Sequence, residues 1–138
     1  SSIDKYMKFN WILALSLLST GLFAQQANTD EGEKKMRETI DAQIENYTKL
    51  FDLEGWQVFY LDSILTHDYA ALVTEINELN SAKVSNRSIY ETVQDKWAEQ
   101  IYNSVHSVFN DTQWAKYLKS GAAREKKARD KRMAKRNK

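Results

Sequence analysis

Apolar residues recur at helical spacing in four stretches of the chain, and polar segments separate these stretches. In the first stretch an apolar residue returns every three or four positions: Met36, Ile40, Ile44, Tyr47 and Phe51. This period is typical of an amphipathic helix that buries one face. Asp30 and Glu33 have the spacing of a capping box. The pattern therefore predicts a first helix that begins just after Asp30.

The second and third stretches are longer and predict two long helices. The second is expected to run from about Asp52 to about Ala82, with a wide apolar stripe: Trp56, Phe59, Tyr60, Ile64, Leu65, Leu72, Val73, Ile76 and Leu79. In the third, an apolar residue returns every four positions: Ile89, Val93, Trp97, Ile101, Val105 and Phe109. With no Pro and only four Gly, the chain has few helix breakers. We expect an all-α fold of four helices in which the two long helices form a central antiparallel hairpin.

Two short segments carry the local signals of a helix start. In the second segment, Asn110 is the expected N-cap and Gln113 closes a capping box. Its flanking aromatic residues, Phe109 and Trp114, are spaced to form a hydrophobic staple. The first segment repeats this spacing, with Asp52 as the expected cap. Together the two segments contribute Phe51, Asp52, Leu53, Trp56, Gln57, Phe109, Asn110, Gln113 and Trp114.

Charge is strongly divided along the chain, although the net charge is only +1. Seven basic and sixteen acidic residues between Gln25 and Ala115 give a net charge of −9, whereas eleven basic and two acidic residues from Lys116 onward give +9. Residues 33–122 are predicted to form a helical domain and residues 123–138 a basic tail. Within the tail, residues 126–138 are expected to be a frayed, solvated helix or disordered. The tail either keeps the protein soluble or binds anionic surfaces or a partner subunit. The basic residues considered for binding are Lys116, Lys119, Arg124, Lys126, Lys127, Arg129, Lys131 and Arg132.

The N-terminal segment has the pattern of an export signal. Met7 and Lys8 precede a short apolar run, and small or polar residues follow as far as Ala24. This order predicts a signal peptide over residues 7–24, cleaved after Ala24, and hence an exported protein. The run is shorter than the roughly 20 apolar residues that span a bilayer, although an uncleaved anchor is the alternative.

Two further expectations follow from the export signal. Residues 1–6 are interpreted as lying upstream of the natural start, and residues 25–32 as a flexible segment. Because the sequence contains no Cys, an exported chain has no disulfide framework. Helix packing alone must then stabilise the fold.

The sequence offers no pattern typical of an enzyme or a metal site. Its two histidines, His67 and His106, do not form a His-x-x-x-His pair, and Cys is absent. We find neither a Gly-rich phosphate loop nor a Ser, His and Asp order that indicates nucleophilic catalysis. A binding function without a cofactor is therefore expected.

Aromatic residues are more numerous than a thin helical fold can bury. The excess is greatest near the start of the second helix, where four apolar residues are consecutive. This run is the predicted client or dimer surface: Val58, Phe59, Tyr60 and Leu61.

The order of elements and the two helix-start segments resemble the Spy/CpxP type of periplasmic chaperone, which carries two LTxxQ motifs. The matching segments are Leu53-Glu54-Gly55-Trp56-Gln57 and Phe109-Asn110-Asp111-Thr112-Gln113, which keep the Gln and an apolar first residue. The resemblance implies that the exported protein is periplasmic and that it is a homodimer of bent helical hairpins, which together form a thin cradle. The concave, partly basic and apolar face of the cradle would hold unfolded or partly folded proteins without ATP.

Two functions are therefore expected from the sequence. The first is a holdase-like or envelope-stress protein that binds unfolded clients. The alternative is a non-catalytic envelope protein whose basic tail binds anionic surfaces or a partner subunit. Nucleic acid is not an expected partner of an exported protein.

Overall fold

The computed structural model describes residues 30–138, with side chains from Glu31 onward, and this part of the chain is almost entirely helical. Helix α1 spans Asp30–Phe51, α2 spans Gly55–Ser81 and α3 spans Arg87–Val108. The fourth helix is kinked: α4, Asp111–Tyr117, continues through a π-helical turn, Leu118–Ala122, into α5, Ala123–Arg136. An all-α fold of four helices was the prediction, and the described residues confirm it.

Three expectations concern the N-terminal part of the chain. Residues 1–6 and the predicted signal peptide, residues 7–24, lie outside the described residues. So do residues 25–29 of the predicted flexible segment. Its remaining residues, 30–32, belong to the first turn of α1.

The connection between α1 and α2 corrects the predicted helix start. Asp52 has a φ of 54°, a left-handed conformation that is common just after a helix. It therefore ends α1 and cannot cap α2, because an N-cap residue needs an extended backbone. Glu54 has that backbone, with φ −79° and ψ 161°, and is the N-cap of α2. The prediction that Asp52 caps the second helix was wrong.

The hydrophobic core lies where α1, α2 and α3 meet the kinked fourth helix. The apolar stripe of α1 faces this core, with Ile40 fully buried. Four aromatic rings pack together in this core: Tyr47 and Phe51 of α1, Phe109 of the connection before α4, and Tyr117 of α4. Their centroids are 5.5 to 6.3 Å apart. The rings are edge-on or tilted to one another, which are orientations that aromatic pairs prefer.

Side-chain contacts join α2 to α3 at two places. Glu75 forms an ion pair with Lys96. Closer to the other end, the hydroxyl of Ser104 donates to Asp68 Oδ2 at 3.1 Å. In these two contacts, the later residue of α2 bonds to the earlier residue of α3.

The four-residue apolar spacing of α3 explains how burial changes along this helix. Ile89, at the start, is exposed, whereas Ile101 and Val105 are buried. A spacing of four drifts around a helix of 3.6 residues per turn, so the stripe turns from solvent into the core.

The C-terminal basic segment is a helix packed against α3. Of the two predicted alternatives, a solvated helix or a disordered tail, the segment is a helix as far as Arg136. It is not solvated on all sides, because the side chain of Arg129 is only 2% exposed. Gly121 makes the kink that directs α5 towards α3. Its φ of 129° lies in a region that residues with a side chain rarely adopt.

Candidate functional site

The starts of α2 and α4 meet through two buried glutamine side chains. Gln57 Nε2 donates to Gln113 Oε1 at 2.6 Å, and Gln113 Nε2 donates back to Gln57 Oε1 at 3.0 Å. Each Oε1 atom also accepts the backbone N–H of its own N-cap residue, Glu54 at 2.9 Å and Asn110 at 3.0 Å. The two glutamines that close the capping boxes therefore also join the two helices.

The side-chain amide nitrogen of each glutamine also bonds to a backbone carbonyl that precedes the other glutamine's helix. Gln57 Nε2 donates to the carbonyl of Val108 at 3.0 Å, and Gln113 Nε2 lies 3.4 Å from the carbonyl of Asp52. Each glutamine thus contacts the backbone just before the other's helix. The capping role of Gln113 was predicted from sequence, but the contact between the two glutamines was not.

The other helix-start residues divide between the core and the surface. Phe51, Leu53 and Phe109 are buried, with the rings of Phe51 and Phe109 5.5 Å apart. Trp114 is half-buried and stacks on His106 with a centroid distance of 3.8 Å. Trp56, in contrast, is 54% exposed, because its helix begins two residues later than the predicted cap required.

Three aromatic side chains form an exposed cluster on the first turns of α2, which we call the aromatic surface: Trp56, Phe59 and Tyr60. Phe59 is 72% exposed and Tyr60 is 54% exposed. The ring of Tyr60 packs edge-on against both neighbours, with centroids 6.2 Å from Trp56 and 5.7 Å from Phe59. The indole N–H of Trp56 donates to a carboxylate oxygen of Glu54 at 2.6 Å.

This cluster partly corrects the predicted client or dimer surface. Leu61 was assigned to it but is fully buried, and Val58 is half-buried against the core. Leu61 lies one turn after the buried Gln57 and one turn before the buried Leu65, so it shares their face of α2. Phe59 and Tyr60 lie on the other face.

The basic residues of α5 divide into two faces, and the inner face is neutralised by α3. Arg129 donates from Nε and Nη2 to Glu99 Oε1 at 3.1 and 3.0 Å, and Lys126 donates to Glu99 Oε2 at 2.6 Å. Both cations also lie over the ring of Tyr102, at 5.5 and 5.6 Å from its centroid.

Asp95 forms the second anchor of α5 on α3. Arg132 Nη2 lies 2.8 Å from Asp95 Oδ1, and Arg136 Nη1 lies 2.8 Å from Asp95 Oδ2. Burial alone would raise the pKa of Asp95, but the hydrogen bonds from the two arginines outweigh it and lower the pKa below its ordinary value. Glu99 behaves in the same way, because hydrogen bonds from Lys126 and Arg129 lower its pKa in spite of burial.

The outer face of α5 carries cations that are exposed and form no ion pair within the described residues. We call this row the basic stripe: Arg124, Lys127, Lys131 and Lys135. Lys116 and Lys119, which were grouped with the tail, are also exposed on the preceding segment. The predicted basic residues therefore do not act as one set, since Lys126, Arg129 and Arg132 hold α5 in place.

A polar cleft of about 270 Å³ lies between α3 and α5. Its lining combines carboxylates and guanidinium groups: Glu91, Gln94, Asp95, Ala98, Glu125, Arg129 and Arg132. Both arginines already bond to carboxylates of α3. The cleft therefore presents mixed and largely satisfied charge, and no single ligand chemistry is favoured there.

The two histidines have separate surroundings. His67 Nδ1 lies 3.0 Å from Asp68 Oδ1, and the other oxygen of Asp68 accepts from Ser104. In this order the aspartate lies between the serine and the histidine, whereas a catalytic relay needs the histidine in the middle. Among the described residues, no group of three or more His, Cys, Asp or Glu side chains is arranged to hold a metal ion.

No family model, curated protein or solved structure matches the chain. The resemblance to Spy/CpxP proteins thus rests on the order of helices and on the two segments that end in Gln57 and Gln113. Within the described part of the chain, no helix is both long and apolar enough to cross a membrane.

Proposed function

We propose that the protein is an exported, ATP-independent client-binding protein that holds apolar segments of unfolding proteins on its aromatic surface. The observation that carries this proposal is the exposure of three mutually packed aromatic side chains, Trp56, Phe59 and Tyr60. Their burial inside the protein would be favourable by about 1.5 to 3 kcal/mol for a phenylalanine-sized side chain. The fold instead leaves them in water, where a client segment can cover them.

The composition of the aromatic surface suits clients of varied sequence. Aromatic rings contribute large contact areas and few rotatable bonds, so little conformational freedom is lost on binding. The carboxylate of Glu54 bonds to Trp56 at the edge of the cluster. Apolar segments that also contain Lys or Arg would gain contacts with both the rings and this carboxylate.

The proposed architecture is a homodimer of bent hairpins that forms a thin cradle. The long hairpin is supported by two contacts, Asp68 with Ser104 and Glu75 with Lys96, which pair later residues of α2 with earlier residues of α3. The kink at Gly121 and the glutamine pair support a bent shape, because they turn the fourth helix back along α3. The Spy/CpxP resemblance points to the same architecture and to the periplasm.

The direct test is suppression of client aggregation by the purified protein. Light scattering would follow a chemically unfolded enzyme diluted into buffer with substoichiometric to tenfold excess protein and without ATP. We expect protection by the natural chain and a loss of most protection in the double variant Phe59→Ala and Tyr60→Ala. Ile89→Ala is a matched control, because Ile89 is an exposed apolar residue at the start of another helix.

Three outcomes would count against the proposal. No protection at tenfold excess removes the chaperone function, and equal protection by the double variant removes the aromatic surface from it. An equal loss of protection in the Ile89 control would mean that any exposed apolar residue contributes equally. Circular dichroism of each variant would establish that the helices are intact.

Dimer formation and client binding can be separated by measuring mass. Size-exclusion chromatography with light scattering would give the mass of the natural chain and of the double variant. If the double variant is a monomer and still protects clients, the aromatic surface serves the dimer and the client site lies elsewhere. A dimer that no longer protects clients would support the proposed assignment.

A further inference from the structure

The basic stripe on the outer face of α5 has a chemistry of its own, independent of the aromatic surface. We propose that it binds an anionic phospholipid bilayer. The stripe consists of Arg124, Lys127, Lys131 and Lys135, all exposed. Their spacing of three and four residues aligns them along one side of the helix, over about 16 Å.

The opposite side of α5 fixes the direction in which the stripe points. Arg129, at the centre of the inner face, is buried and bonded to Glu99, while Arg132 and Arg136 bond to Asp95. These contacts hold the helix in one orientation before any ligand arrives. Little conformational freedom of the backbone is then lost when the stripe meets a surface.

The charge of the stripe is not neutralised within the described part of the chain. The acidic residues of α3 that contact α5, Asp95 and Glu99, already pair with inner-face cations. Of the two carboxylates on α5 itself, Asp130 pairs with Lys126 and Glu125 lines the cleft towards α3. Acidic residues farther away than roughly 10 Å are screened at about 0.1 M salt, so they weaken a contact at the stripe only slightly. The outer face thus remains cationic despite the acidic body of the protein.

The side chains beside the stripe favour a lipid surface over other anionic partners. Its flanking residues are small, Ala123, Ala128 and Ala134, and no aromatic residue occurs within α5 to stack on a nucleic acid base. A straight row of cations on a rigid helix matches a flat layer of phosphate headgroups. The predicted export signal also directs the chain to a compartment bounded by bilayers.

The test is the binding of the full-length chain to vesicles. Sedimentation would compare vesicles of phosphatidylcholine with vesicles that contain one third phosphatidylglycerol, at low and at high salt. Since each cation near an anionic surface contributes roughly a fivefold gain, we expect Lys127→Gln, Lys131→Gln and Lys135→Gln together to weaken binding by about a hundredfold. High salt should have a similar effect on the natural chain.

A matched control removes three exposed lysines from elsewhere: Lys34→Gln, Lys49→Gln and Lys83→Gln. Both triple variants have the same net charge, so a difference between them reports position and not total charge. The control should bind anionic vesicles as the natural chain does. Retention of binding by the stripe variant, or equal loss in both variants, would overturn the proposal.

Two further results would also overturn it. Equal binding to phosphatidylcholine alone would mean that charge does not direct the interaction. Tighter binding to a 20-base-pair DNA duplex than to anionic vesicles would identify the stripe as a nucleic acid surface. The lipid proposal and the client proposal can fail separately. The double variant Phe59→Ala and Tyr60→Ala should bind anionic vesicles as the natural chain does, whether or not it still suppresses aggregation.

Discussion

The side-chain amides of Gln57 and Gln113 hydrogen-bond to each other in both directions, although the residues are 56 positions apart. Each also accepts the backbone N–H at the start of its own helix. Each buried amide takes part in four hydrogen bonds. Its removal is costly, because the groups it was bonded to stay buried and cannot bond to water instead. The pair is therefore a structural junction between the two halves of the described chain.

Replacing either glutamine by alanine should destabilise the protein. We expect Gln57→Ala or Gln113→Ala to lower the free energy of unfolding by about 2 to 3 kcal/mol, since each leaves a buried amide and a helix start unsatisfied. Urea unfolding followed by circular dichroism would measure this change. The double variant should cost less than the sum of the two single variants, because the second substitution removes a group that the first has already left unpaired.

Gln100→Ala is the control for the glutamine pair, because Gln100 lies exposed on α3. It should change the free energy of unfolding by less than about 0.5 kcal/mol. If the losses of unfolding free energy in Gln57→Ala and Gln113→Ala add up fully in the double variant, the two amides do not act together.

Gly121 and Gly55 should respond in opposite ways to alanine. Gly121 has a φ of 129°, so Gly121→Ala is expected to cost about 1 to 3 kcal/mol and to loosen α5 from α3. Gly55 lies at the start of α2 with open space where a methyl group would lie, so Gly55→Ala should be neutral or stabilising by up to about 1 kcal/mol. Thermal unfolding of both variants measures this difference. A stable Gly121→Ala variant with unchanged hydrogen exchange in α5 would show that the kink does not depend on glycine.

The buried guanidinium of Arg129 should be the main anchor of α5. We expect Arg129→Met to lower the free energy of unfolding by about 2 to 4 kcal/mol, because it leaves Glu99 with a single cation. In this variant the rate of amide hydrogen exchange should increase more in α5 than in α1 or α2. The control Arg124→Met changes the same residue type on the exposed face and should leave exchange in α5 unaffected. Equal effects of the two substitutions would contradict the division of α5 into an inner and an outer face.

Acid should release α5 from α3. The folded protein lowers the pKa of Asp95 and of Glu99, so the unfolded chain binds protons more readily than the folded one. The stabilisation by these carboxylates is thus fully present above about pH 5 and is lost as the pH falls through their folded pKa values. The protection of the α5 amides against hydrogen exchange, taken relative to the intrinsic exchange rate at each pH, should fall as the pH is lowered from 6 to 3.

The double variant Asp95→Asn and Glu99→Gln tests the source of this pH dependence. Its α5 amides should already be weakly protected at pH 6, and their protection relative to the intrinsic exchange rate should change little on further acidification. Glu78→Gln, which alters an exposed carboxylate on α2, should retain the acid response of the natural chain. Acid release that persists unchanged in the double variant would assign it to other carboxylates.

Local signals allowed much of the helical fold to be predicted from the sequence. The three- and four-residue spacing of Ile40, Ile44 and Tyr47 depends only on the pitch of a helix, and this face is buried. The capping box of Asn110 and Gln113 likewise lies within four residues and has the predicted hydrogen bonds. Such signals are readable because the interacting groups are close together in the chain.

The site was predicted less well, because several faces of a helix can carry similar residues. Val58, Phe59, Tyr60 and Leu61 are consecutive and all apolar, so composition does not reveal which of them faces the core. Packing against the neighbouring helices buries Leu61 and leaves Phe59 exposed. The start of α2 was misplaced for a related reason, since the left-handed backbone of Asp52 depends on how α1 ends.

The sequence by itself determined where helices form, which faces of them are apolar and that the C-terminal segment is strongly basic. Tertiary structure alone decided which distant residues meet. Arg129 and Glu99 are 30 positions apart, and their bond divides one basic segment into an anchoring face and a free face. A helix has the same local spacing whichever neighbour it packs against, so only the packed fold assigns partners to Gln57, Gln113 and Arg129.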